Sequence, residues 1–321
     1  MKTINLVDPE ILPMLDGYSE IKYSDENIQD VRDSVNTTIH EMSSEKLKNV
    51  AISEEFIDAS DSKIRLVIYK PENAVNLRKG ALLHIHGGGY IIGMPESSDA
   101  RNQLLCNTLG IVVVSVDYRL APENPFPQSI EDCYLALKWM IENADALEID
   151  SKKIGVYGES AGGGLAAALA ILARDRREVH LIHQFLIYPM IDDRTSVDAD
   201  PNPYTGEFIW ERQKNYYGWK SLLGHEPGID GVSPYAAAAR VKVMEELPPA
   251  SIFVGALDLF LDENISYAQR LLRSGIPTEL HVYPGAFHVF DFVTGSSISR
   301  QFNIDLIRAM KKALGISEKE N

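Results

Sequence analysis

A short apolar run, Ile154-Gly155-Val156-Tyr157, leads into Gly158-Glu159-Ser160-Ala161-Gly162, and a helix-forming run rich in alanine and leucine, Leu165 to Ala173, follows at once. A strand that must become a helix within one pentapeptide has to turn sharply. Glycines at Gly158 and Gly162 let the two elements pass closely, because they carry no Cβ. Strand, sharp turn, serine and helix make a nucleophile elbow, whose strained turn pushes the serine hydroxyl out of the sheet. Ser160 is the candidate nucleophile. An isolated pentapeptide of this kind also suits a plain tight turn with a capping serine, so the flanking strand and helix carry the reading.

The remainder of the chain alternates in the same manner. Gly80 to His86, Ile111 to Asp117, Leu181 to Tyr188, Ser251 to Leu257 and Thr278 to Tyr283 read as strands. Ser97 to Leu109, Gln128 to Asn143, Asp262 to Arg273 and Ser299 to Leu314 read as helices. Alternation of this type predicts an α/β fold, a mostly parallel central sheet with helices on both faces. Ligands on such sheets sit outside the carboxyl ends of the strands. Val50 to Ala59 and Lys63 to Lys70 alternate in hydrophobicity around Asp61-Ser62 and predict an antiparallel hairpin. Ile28, Val31, Val35 and Ile39 recur at helical spacing and predict an amphipathic helix. From Pro189 to Pro249 the alternation stops, in a stretch holding Tyr204, Phe208, Trp210, Tyr216, Tyr217 and Trp219. A structureless loop of that length is uncommon in a folded domain, so a helical insertion is expected. The expected division is N-terminal cap helices at 1–45, a catalytic core at 46–189 and 250–321, and a cap insertion at 190–249.

A serine hydroxyl is a weak nucleophile and needs a base. His288 follows the last strand, at the sheet edge where the other strands also end; His84 lies within an apolar strand and reads as a core residue. Asp258 directly follows the strand ending at Leu257 and suits the acid that orients the base. Asp262 is the weaker candidate, because Asp262 and Glu263 are more simply favourable charge in the first turn of the next helix. Acyl transfer further requires donors for the developing oxyanion. Gly87-Gly88-Gly89 follows the strand that ends in His86, and Ala161 places its N–H at a helix N-terminus, where the dipole favours negative charge. A triple glycine also suits a phosphate nest. However, neither GxxxxGK[ST] nor GxGxxG follows a strand here.

The net charge of −15 argues against a nucleic-acid partner and against an anionic membrane surface. Cys106 and Cys133 fall in helical patterns without metal-ligand spacing and read as buried thiols. Asp8, Pro9, Glu10 and Pro13 interrupt any signal-peptide core, so a cytoplasmic location is expected.

Five segments together resemble the hormone-sensitive-lipase group of carboxylesterases, bacterial esterase family IV, within the α/β-hydrolase fold. They are His86-Gly87-Gly88-Gly89-Tyr90, Asp117 to Glu123 (DYRLAPE), Gly158 to Gly163 (GESAGG), Asp258 to Glu263 (DLFLDE) and Tyr283 to His288 (YPGAFH). The resemblance implies a triad of Ser160, Asp258 and His288, and an oxyanion hole from the N–H groups of Gly88, Gly89 and Ala161. It implies a small-molecule ester of short or medium acyl chain as substrate, no metal or cofactor, a cap over the site, and a homodimer through the last strand and closing helix. Two positions depart from the pattern: Leu259 stands where proline is common, and Glu159 where aspartate is. Tyr90, Phe208 and Trp210 are candidates to line the pocket, with plain packing of cap on core as the alternative for each. Two other functions share the fold. A serine peptidase or amidase uses the same triad, and a non-catalytic small-molecule receptor lacks the histidine that this chain retains.

Overall fold

A computed structural model describes residues 2–16, 21–41, 46–59, 62–72 and 79–316. Eight strands form one sheet: β1 (Val50–Asp58), β2 (Lys63–Pro71), β3 (Lys79–Ile85), β4 (Val112–Asp117), β5 (Ile149–Glu159), β6 (Gln184–Ile187), β7 (Ala250–Gly255) and β8 (Thr278–Tyr283), in the order β1-β2-β4-β3-β5-β6-β7-β8. β1 and β2 are antiparallel, β2 meets β4 antiparallel, and every later pairing is parallel. The predicted hairpin is present; Asp61, assigned to its turn, lies outside the described residues.

The helices are α1 (Ile28–Glu41), α2 (Asp99–Leu109), α3 (Gln128–Glu142), α4 (Ala144–Leu147), α5 (Ala161–Arg176), α6 (Arg212–Leu223), α7 (Leu261–Arg273) and α8 (Ser297–Leu314). They divide over the two faces because side chains alternate along a strand. Leu83 and Ile85 of β3 share a core with α3 and α5, whereas Leu82 shares the opposite core with residues of α2 and α8. Every residue of α5 from Ala161 to Ala173 is buried. A helix packed on the sheet and under α3 has no solvent face, which explains its alanine-rich sequence.

Two differences from the expected elements stand out. The insertion after β6 carries one α-helix, α6, and two short 3₁₀ turns, Asp193–Ser196 and Ala238–Arg240; the rest is irregular. The stretch before α1 likewise forms 3₁₀ turns, at Ile4–Leu6 and Leu12–Leu15. Polar contacts hold this stretch to the body. Asp8 N–H donates to Gly285 O at 3.0 Å, and the Glu10 carboxylate accepts from Ser297 N–H at 2.7 Å. Thr3 N–H reaches the Glu207 carboxylate in the insertion at 2.7 Å.

α1 is pinned separately. The Arg32 guanidinium donates to Ile91 O and Ala121 O at 2.7 Å and forks onto Glu123 at 2.8 Å. One planar group with several donors thus ties α1 to the chain that follows β3 and to the chain that follows β4.

Candidate active site

β5, in the middle of the sheet, ends at Glu159, and α5 begins at Ala161. Ser160 between them has φ 54° and ψ −119°. This is the strained turn expected of the motif, and non-glycine residues seldom adopt it. Ser160 N–H donates to Ile187 O at 2.9 Å, anchoring the turn to β6. At Gly158 the two elements leave no room for a side chain, a Cβ there lying 2.4 Å from Gly162 O, and at Gly162 α5 also passes close to β3, where a Cβ would lie 2.0 Å from Ile85 O.

The three residues selected in the sequence come together. His288 Nε2 lies 3.0 Å from Ser160 Oγ, and His288 Nδ1 lies 2.8 Å from Asp258 Oδ2. The other oxygen of Asp258 accepts the Phe260 N–H at 2.9 Å, so both carboxylate oxygens are committed. All three side chains are buried. The imidazole is held edge-on between Phe260 and Tyr188, at 5.2 and 4.8 Å between ring centroids. Asp262 is exposed on the first turn of α7, where it accepts from Asn202 at 3.3 Å and makes no contact with the imidazole. Glu263 is more than helix-end charge. It is buried, and its carboxylate accepts from the N–H groups of Ile191 at 2.7 Å and Asp192 at 3.2 Å and from the Thr195 hydroxyl, fixing the chain that leaves β6.

Gly87 to Gly89 lie beside this line. His86 Nδ1–H donates to Gly87 O at 2.8 Å, and the ring stacks on Tyr118 at 4.2 Å, while the Tyr118 hydroxyl donates to His86 O at 3.0 Å. Burial lowers the pKa of His86 to about 4, so the ring acts here as a neutral donor. Gly88 has φ +116°, and a Cβ there would sit 2.0 Å from Ile92 O. Among the described residues, neither Gly88 N–H nor Gly89 N–H donates to a protein acceptor. Ala161 is the first residue of α5, one of the helix positions that leave an N–H without an intrahelical partner.

A cavity of about 270 Å³ opens over these groups, lined by Gly87, Gly88, Gly89, Ser160 and His288 on its floor. Val35 and Ile39 of α1 and Ile209 and Trp210 of the insertion form much of its walls. The apolar stripe of α1 is thus divided: Ile28 and Val31 are buried, and Val35 and Ile39 line the cavity. Of the three aromatic candidates only Trp210 is in the lining. Tyr90 is a correction: it is buried, its hydroxyl donates to Met190 O at 2.7 Å, and its ring packs on Trp219. Phe208 is another: it is buried against Phe287, 5.7 Å between centroids, outside the cavity lining. Both side chains serve the packing of insertion on core. Tyr188 also faces the cavity; its place at the end of a buried apolar strand gives no sign of this in the sequence.

A family model described as the alpha/beta hydrolase fold matches residues 82–292. The chain belongs to the α/β-hydrolase family. An arylesterase of Saccharolobus solfataricus is 32% identical over 294 residues, 88% of this chain and 92% of the relative. An ethyl acetate hydrolase of Pseudomonas putida is 31% identical over 75% of this chain and 74% of its own. The solved structure of a bacterial heroin esterase superposes with a TM-score of 0.90 at 34% identity, covering 97% of this chain and 99% of that one. This α/β-hydrolase is therefore of the hormone-sensitive-lipase-like carboxylesterase type that its five motifs resemble.

In this hydrolase Glu159 is buried directly before Ser160, with His84 Nε2 at 2.9 Å and Arg101 Nη1 at 2.6 Å. Burial opposes its ionisation, but His84 and Arg101 outweigh that and lower its pKa to about 2. An acidic residue at the end of a buried strand signals that a partner must exist. The sequence spacing does not say which residue that is.

Gly88→Ala tests the oxyanion loop. Its Cβ would have to displace the chain at Ile92, and kcat should fall by about 10²–10³-fold, the cost of losing one donor. Steady-state kinetics beside a melting curve checks this; undiminished kcat would remove Gly88 N–H from the site.

Proposed function

We propose that the protein hydrolyses carboxylic esters of short to medium acyl chain through an acyl-enzyme on Ser160. The observation that carries the reading is the Ser160–His288–Asp258 line of hydrogen bonds at the floor of the cavity, at 3.0 and 2.8 Å. Ser160 Oγ attacks the ester carbonyl while His288 Nε2 takes its proton. Asp258 holds the Nδ1–H tautomer and stabilises the imidazolium. The N–H groups of Gly88, Gly89 and Ala161 receive the oxyanion. His288 gives the proton to the leaving alcohol. It then deprotonates a water that attacks the acyl-enzyme, and returns that proton to Ser160 Oγ as the acid departs.

Residues 1–45 and 190–249 act as the cap. Val35, Ile39, Ile209 and Trp210 supply its apolar contacts to the substrate. A cavity of about 270 Å³ lies just below the range of roughly 300–1,000 Å³ typical of drug-sized ligand sites, which supports small esters over long-chain lipids. Among the described residues no helix is long and apolar enough to cross a membrane. We place the enzyme in the cytoplasm, and as a homodimer through the edge strand β8 and α8, where Val282 and Ile304 present apolar side chains to solvent; light scattering of the purified protein reads the assembly.

Nitrophenyl esters of increasing acyl length, assayed beside an aminoacyl anilide, test the substrate class. We expect ester cleavage to dominate, with kcat/KM highest for a short or medium chain. Dominant anilide cleavage would establish an amidase instead, and no turnover of either would favour a binding protein.

A further inference from the structure

Arg101 projects from α2 and joins the two loops that carry the reacting side chains. Its Nη1 donates to Glu159 Oε1 at 2.6 Å, one residue before Ser160. Its Nη2 donates to Asp291 Oδ2, three residues after His288. Both carboxylates are buried, and the Arg101 side chain is largely so. The far oxygen of Asp291 accepts the Tyr188 hydroxyl at 2.9 Å. Tyr188 is fully buried, has a left-handed backbone with φ +35°, and sets its ring edge against His288 at 4.8 Å. On the other side, Glu159 is held by His84, and Ser98 Oγ approaches it at 3.3 Å.

We infer that Arg101, through Glu159 and Asp291, is a positioning residue that sets the spacing and angle between Ser160 and His288. The inference rests on the reading of these two as nucleophile and base. Ser160 and His288 lie on separate loops, at the end of β5 and after β8, and only a 3.0 Å contact joins their side chains directly. A guanidinium is a rigid planar fork, so two carboxylates bound to its two nitrogens are held at a set separation. One carboxylate belongs to the elbow. The other belongs to the histidine loop and orients the tyrosine packed on the imidazole. Neither Arg101 nor Asp291 lines the cavity, so neither meets the substrate. A strained tyrosine next to the base fits this arrangement, since strain at a site persists only where the surroundings over-determine the conformation.

Three single variants, Arg101→Lys, Asp291→Asn and Tyr188→Phe, and the Arg101→Lys/Asp291→Asn double variant test it. Each is assayed on a short nitrophenyl ester well below its own melting temperature. Lysine keeps the charge, but its three donors radiate from a single nitrogen on a flexible stem and do not hold two carboxylates at the fixed separation of a planar fork. We expect kcat to fall by about 10–10²-fold in Arg101→Lys and in Asp291→Asn, with KM within about twofold, as for a small misalignment of reacting groups. Tyr188→Phe, which keeps the ring and loses only its tether, should fall less. The double variant should lose no more than the worse single, because both changes open the same bracket. Unchanged kcat with a lowered melting temperature would reduce the cluster to a stabilising one and overturn the inference, and so would losses that multiply. If Arg101→Lys does not fold, the Asp291→Asn and Tyr188→Phe pair decides by the same criterion. Ser160→Ala runs in parallel: if it retains activity, the reading of the nucleophile fails, whereas an inactive Ser160→Ala beside a fully active Asp291→Asn sinks the positioning role alone.

Discussion

Ser160→Ala is expected to lower kcat on a nitrophenyl ester by about 10⁶-fold, the scale found when the nucleophile of a serine hydrolase triad is removed. In the proposed reaction the hydroxyl oxygen is the atom that bonds to the substrate, and it is the one that His288 Nε2 meets. The site around it would survive. Ser160 is buried and its backbone is fixed by bonds that alanine keeps: its N–H to Ile187 O at 2.9 Å, and its carbonyl accepting from Gly164 and Met190, each at 2.9 Å. The loss of one side-chain hydrogen bond costs about 1 kcal/mol of stability, so the variant should melt cooperatively and close to the parent. A residual rate well above water would remain, from the oxyanion donors and binding alone. The measurement is kcat with a melting curve on the same preparation. Activity within about tenfold of the parent, against the loss expected for a nucleophile, would mean that another group attacks the ester.

The second large effect is Asp258→Asn, expected to cost about 10⁴-fold in kcat by trapping the wrong histidine tautomer. The surroundings leave the amide no freedom to avoid this. One oxygen of Asp258 accepts the Phe260 N–H at 2.9 Å, and the other faces His288 Nδ1 at 2.8 Å. An asparagine must keep its single oxygen toward the Phe260 N–H. Its NH₂ then points at His288 Nδ1, which has to accept, and the ring proton moves to Nε2. That nitrogen can no longer take the proton of Ser160. Asp258→Ala lacks this constraint, because water can meet Nδ1, so it should be no worse than Asp258→Asn despite being the larger deletion. An asparagine variant with activity near the parent would show that Asp262 or another acid supports the base.

The mostly parallel sheet and the line of Ser160, Asp258 and His288 were legible in the chain, for local reasons. Buried strands such as Val112–Asp117 are mostly apolar rather than alternating, and α5 is apolar on every side from Ala161 to Ala173, the mark of a buried helix. The serine, acid and histidine each closely follow a strand, so the rule that sites form at the carboxyl ends of parallel strands brings them together without any knowledge of distances. The pocket was less legible. Tyr90, Phe208 and Trp210 are equally aromatic, but only Trp210 faces the cavity. Whether an aromatic ring packs or lines depends on which way an irregular insertion turns, and irregular chain has no period from which to read a face. Val35 and Ile39 illustrate the converse. Their helical period was plain, yet the same stripe serves both packing and cavity, because α1 reaches past the core it is pinned to by Arg32.

Local patterns alone dictated which residues had to lie at strand ends, which backbone had to turn through Gly158 to Gly162, and which chemistry a serine, an aspartate and a histidine in that order support. Apolar runs, glycines where a Cβ has no room, and turn residues after strands are enough for that. The partners of the buried charges were settled by folding instead. Arg101, Glu159 and Asp291 are far apart in the chain, and each alone is one more polar residue in or beside an apolar segment. What joins them is the requirement that a buried charge be paired. In the sequence that requirement is only a need, and it is met when α2 delivers a guanidinium between the elbow and the histidine loop.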